Sequence, residues 1–142
     1  MRAFMVVLLA GLLAGCTSPK DDDATGTENA LDSATYSITV SDMPTAVLAN
    51  ATFRFNSTIS GGPVHASDHI GGHFGNKTTT EPSTATYDMA CAHTGGDLPG
   101  KYQVSCTAPK MSGVYYLRGH ARITQGETVV NWWSTETTFT VA

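Results

Sequence analysis

Histidines 65, 69 and 73 recur at every fourth position of the segment VHASDHIGGHFG, and they are three of the five histidines in this chain of 142 residues. Imidazole suits both copper and zinc, so this spacing is the feature with the clearest chemistry open to it. On an extended strand, equal parity places His65, His69 and His73 on one outward face, opposite Val64, Ala66, Ile70 and Phe74. Residues four apart on a straight strand stand about 13 Å apart along its axis, so a shared ion requires the chain to turn at Gly71-Gly72. Completed by His93 or His120, with Asp68 or Asp97 nearby, such a bent segment would make a copper or zinc site. The alternative is a set of edge or solvent-exposed histidines with no common ligand and no cofactor.

The N-terminus has a different chemistry. Arg2 precedes an apolar run from Phe4 to Ala14, and the run ends in Leu13-Ala14-Gly15-Cys16. This is the layout of a secretory signal, and it is shorter than the roughly 20 apolar residues a spanning helix needs. The tetrapeptide resembles the lipobox of prokaryotic lipoprotein signal peptides. That resemblance implies loss of residues 1–15, acylation of Cys16, and attachment to a membrane on the extracytoplasmic side of the cell envelope. Several acyl chains make that attachment lasting.

Setting Cys16 aside leaves Cys91 and Cys106, an even pair in a chain exported to an oxidising space, where a disulfide is the default. The bridge would close a loop of about 15 residues and stabilise the fold by about 3 kcal/mol. Between them lies the turn cluster Gly95-Gly96-Asp97-Leu98-Pro99-Gly100, from which we expect a hairpin that brings the two thiols close.

Charge and composition exclude other classes. Without Arg2, 7 basic residues face 12 acidic ones, and no basic stripe is present to neutralise phosphates, so nucleic acid is not a partner. No GxSxG elbow, paired carboxylates or phosphate-cradling glycine loop appears. Asn50, Asn56 and Asn76 each open an N-glycosylation sequon. Trp132 and Tyr116 form a candidate exposed aromatic pair for a glycan or protein ligand.

The elements that would position these residues are strands. Residues 16–33 hold one large apolar residue, Leu31, and three consecutive aspartates, the composition of a flexible tether with a span of roughly 20 to 25 Å. From residue 34 to 142 short alternating runs are separated by Gly, Pro, Asn and Ser clusters, an all-β pattern of about seven strands in one domain. The last of these runs places Trp133, Phe139 and Val141 on one face. Ser112-Gly113-Val114-Tyr115-Tyr116-Leu117 resembles the start of strand F in immunoglobulin-like domains, which implies a Greek-key β-sandwich and a tyrosine corner at Tyr115. Gly72-His73-Phe74-Gly75-Asn76 and His93-Thr94-Gly95-Gly96-Asp97-Leu98 loosely resemble metal-loop segments of copper/zinc superoxide dismutase, without that family's His-x-His strand or late cysteine. The leading expectation is a lipid-anchored envelope domain that binds a protein or glycan, or serves structurally, without catalysis. The alternative is a copper- or zinc-binding envelope lipoprotein, and a dismutase-like metalloenzyme is the third.

Overall fold

The computed structural model describes Leu31 and residues 35–142. The signal, Cys16 and the rest of the 16–33 segment apart from Leu31 lie outside the described residues. Ten strands follow in order: β1 (Tyr36–Ser41), β2 (Ala46–Val47), β3 (Thr52–Gly61), β4 (His65–Gly75), β5 (Met89–Ala90), β6 (Thr94–Leu98), β7 (Gly100–Thr107), β8 (Gly113–Gln125), β9 (Thr128–Trp133) and β10 (Thr137–Val141). The all-β class is as the sequence predicts. The count is higher because the short β2 was not predicted, β6 forms largely within the expected turn cluster from Gly95 to Gly100, and the predicted C-terminal run divides into β9 and β10. Among the described residues no helix is long and apolar enough to cross a membrane.

The strands form two sheets. One has the order β1-β3-β7, and the other runs β2-β10-β8-β4-β5, with β6 alongside β4 and β9 alongside β8. Alternation along each strand sends one set of side chains into the space between the sheets. Phe53 and Phe55 of β3 and Val104 of β7 meet Phe74, Leu117, Phe139 and Val141 of the other sheet. A second cluster joins Tyr36, Ile38 and Ile59 to Ile70, Ala121 and Ile123, and it also takes in Leu31, which is 1% exposed. Gly72 faces this interior, where an added Cβ would stand 2.7 Å from Phe55 Cζ, so the sheets approach closely beneath β4 because the residue is glycine. Tyr115 donates to the Met111 carbonyl at 2.9 Å, the back-bond that the resemblance implied for it.

Two register shifts overturn expectations of parity. In β4 the pairing with β6 slips by one between Ser67 and Ile70. A one-residue slip reverses which side chains face the core. Ser67, Ile70 and Phe74 are therefore buried, whereas Val64 is 75% exposed and Ala66 is also exposed. The Ser67 hydroxyl fills the bulge, 2.7 Å from the Arg122 carbonyl and accepting the His69 N–H at 3.3 Å. The second shift separates β9 from β10 along one edge of β8: Trp133 pairs with His120, yet Thr137 pairs with Leu117. Phe139 and Val141 consequently point into the core, while Trp133 lies on the outer face. Trp132 turns inward, edge-on to Tyr36 at 4.9 Å, rather than forming an exposed pair with Tyr116.

The expected hairpin between the cysteines is absent. β6 pairs with β4 and β7 with β3, so the chain changes sheets at Pro99. The disulfide forms nonetheless, with Cα atoms 4.3 Å apart. It ties Cys91, just beyond β5, to Cys106 in β7 of the opposite sheet, and Ala92 donates to the Ser105 carbonyl beside it at 2.8 Å.

Candidate metal centre

The centre sits on the outer face of the larger sheet, where β4 and β8 run side by side. Their register places His69 opposite Arg122, Gly71 opposite His120, and His73 opposite Arg118. His120 thus stands beside Gly71, between the other two histidines. Gly71 has no side chain, so His69 and the Ala92–His93 strap pack directly over it and the three rings draw together around that position. Ring centroids are 5.5 Å apart for His69 and His73, 4.8 Å for His69 and His120, and 5.1 Å for His73 and His120. The ladder with β8 is unbroken from His69 to Gly75, so the chain does not turn at Gly71-Gly72 as the strand argument required. Leaning side chains and an empty position between them close the distance instead. A Cβ on Gly71 would stand 3.4 Å from His69 Nε2.

One nitrogen from each of His69, His73 and His120 lies within 4.8 Å of the others. Around a tetrahedral ion held at 2.0–2.1 Å, ligand nitrogens stand about 3.3 Å apart, a gap that modest ring rotations cover. His69 Nε2, His73 Nε2 and His120 Nδ1 are buried, and none finds a hydrogen-bond partner among the described residues. One of the rings is oriented from behind. His120 Nε2 donates to Asn131 Oδ1 at 2.8 Å, a tautomer that leaves the Nδ1 lone pair free. Burial, helped by the neighbouring histidines, lowers the His69 pKa to about 4. Burial likewise lowers His120 to about 4 and depresses His73. All three rings are therefore neutral at pH 7, the form that binds metal.

The surrounding residues close the site. The Trp133 indole stacks on His120 at 4.0 Å and 16°, and lies 5.6 Å from the His73 ring. The 76–88 segment is pinned beside it by Arg118, which donates to the Tyr87 hydroxyl and to the Ser134 and Thr79 carbonyls at 2.8–2.9 Å. Tyr87 in turn donates to Glu136 at 2.6 Å. On the other flank Arg122 pairs with Asp68 at 2.5 Å.

The five histidines therefore divide. His65 falls before the bulge, so it lies on the opposite side of the sheet and meets the Tyr36 hydroxyl at 2.9 Å. His93 is exposed, and its ring stacks on His69 at 4.6 Å and 20°. No nitrogen of His93 joins the set in which one nitrogen from each of His69, His73 and His120 lies within 4.8 Å of the others, so His93 stands at the rim, outside the set of three. Only one of the two dismutase-like segments supplies a member of that set, His73. Asp68 is held by Arg122, and neither it nor Asp97 joins the cluster. Asn50 and Asn76 are exposed, while Asn56 is half-buried and donates to Asp42 at 2.6 Å.

The roles of Asn131, Trp133 and Tyr87 were not read from the sequence. A signal for the first two exists: a two-residue turn at Gly126-Glu127 sets Gln125 opposite Thr128 and, counting back, His120 opposite Trp133. No protein-family model matches this chain, and no curated protein matches it.

Proposed function

We propose that this chain is an exported, lipid-anchored metal-binding protein that holds a copper or zinc ion on His69, His73 and His120, on a sandwich of immunoglobulin-like type. The observation that carries the reading is the convergence of three buried, unpartnered imidazole nitrogens, one of them on a ring held from behind by a hydrogen bond. A buried polar atom left without a partner costs about 1 to 3 kcal/mol. Three such atoms aimed at one point have a common remedy in a cation. Donors of this kind, neutral imidazoles with one braced by an outer hydrogen bond, match the ligand chemistry of zinc and copper. The tyrosine back-bond at Tyr115 and the parallel pairing of β2 with β10 support the immunoglobulin-like reading. The lipobox supports the anchor.

Elemental analysis tests the metal. The full chain, purified in detergent, loaded with copper or zinc and freed of excess, should retain one ion per chain, and His73→Ala and His120→Ala should retain none. Retention of less than a tenth of an equivalent by the unaltered, folded chain would remove the reading. Mass spectrometry of the native N-terminus tests the anchor: an unmodified Cys16, or a mature chain starting elsewhere, would exclude it.

A further inference from the structure

The geometry points to a metal position that keeps one exchangeable site, beside His93, and takes a small anion there. This rests on the metal reading above and adds to it what the bound ion does next. The donor set stops at three. Among the described residues no carboxylate or thiolate stands close enough to His69, His73 and His120 to join them. Cys91 and Cys106, the two cysteines among the described residues, are joined in the disulfide. Asp68 is held by Arg122 and Thr124, and Glu136 accepts from Tyr87 and Thr78. Zinc sites closed by protein use four ligands, whereas sites with three keep the fourth place for water or a substrate.

His93 is the nearest candidate to close that place, and its present posture argues against it. It is exposed while the three donors are buried, and its nitrogens fall outside the set that lies within 4.8 Å of one another. Its ring packs beside His69, with centroids 4.6 Å apart. The strap that carries it is short and tethered: Cys91 is fixed by the disulfide and donates to the Gly72 carbonyl, and Ala92 is bonded to Ser105.

Charge decides the chemical class of the fourth ligand. Three neutral imidazoles leave a divalent ion with its full charge in a buried place. The same face carries the guanidinium groups of Arg118 and Arg122, one opposite His73 and the other opposite His69. Asp68 offsets Arg122 and Glu136 offsets Arg118 through Tyr87, so nothing remains to neutralise the ion. An uncompensated buried charge is costly, and an anion brought from solvent relieves it. Trp133 stacks on His120 with Tyr87 against its far side, so aromatic rings wall one side of the site.

Cobalt(II) in place of zinc makes the fourth position visible, because its ligand-field bands report each exchange of a ligand. The full chain loaded with cobalt and titrated with azide should show a saturable change in those bands at one azide per ion. His93→Ala should give the same change. If cobalt binds and azide leaves the spectrum unaltered in the parent chain but shifts it in His93→Ala, His93 is a fourth ligand and the open position is wrong. If neither chain responds, the position is closed by other means and the inference again fails, with the metal reading intact. If the folded chain takes up no cobalt, zinc or copper, both fail together.

Discussion

At the scale of single residues, the centre depends on what is missing at position 71. The histidine spacing was legible in the sequence; the route by which it works was not. A strand argument treats each side chain as perpendicular to its axis and so keeps His69 and His73 apart, but long side chains also lean along the strand. Gly71 gives them room to do so. Gly71→Ala would put a methyl group 3.4 Å from His69 Nε2 and 3.1 Å from His93 Cβ. It should weaken metal binding by about tenfold or more, the scale of effects seen when ligand orientation is disturbed. Chelator competition on parent and variant measures this, and unchanged affinity would show that the gap is not needed. Asn131→Ala tests the other support. It releases the His120 tautomer, and the same competition assay should show a loss of about 10- to 100-fold.

At the scale of elements, a bulge in β4 and a register shift between β9 and β10 decide which side chains reach the site. Hydrophobic alternation predicted most of the strands, though not β2, β6 or most of β9, because parity within an unbroken run is a local property. Parity across a bulge is not, because a bulge is set by the neighbouring strand. His65 was grouped with His69 and His73 on spacing alone, and the slip between Ser67 and Ile70 places it on the other face. Trp133 was grouped with Phe139 in the same way and separated by the shift between β9 and β10. Ser67 is the residue that holds the bulge. Ser67→Ala would leave a buried Arg122 carbonyl without its 2.7 Å partner and should lower stability by about 1 to 2 kcal/mol. Denaturant unfolding reads this directly. A variant as stable as the parent would mean the bulge holds without the hydroxyl.

At the scale of the whole molecule, the disulfide and the metal site meet at the strap from Cys91 to His93. Cysteine parity, read with the expectation of export, predicted the bridge, although its setting differs from the hairpin expected, because Pro99 carries the chain into the other sheet. Reducing it, or replacing both cysteines by alanine, should cost about 3 kcal/mol of stability, as expected for a loop of this length. An unchanged unfolding midpoint would contradict this. The histidines give the metal-free protein a pH dependence with a definite sign. Their folded pKa values lie near 4 for His69 and His120, against 6.5 for the free side chain. The unfolded chain therefore takes up protons first, and stability should fall as pH drops from about 6.5 toward 4 while staying level, as far as these groups contribute, above pH 7. Thermal melts across that window check the slope, which should shrink in His120→Gln; equal slopes in both proteins would contradict the assignment. The central claim, that three histidines on β4 and β8 share one ion, is tested most directly by anomalous scattering from crystals of the zinc- or copper-loaded chain. A single peak about 2.0–2.1 Å from His69 Nε2, His73 Nε2 and His120 Nδ1 is the predicted result. A peak at His65 or at His93 alone, or no peak in crystals that have taken up the metal, would contradict it.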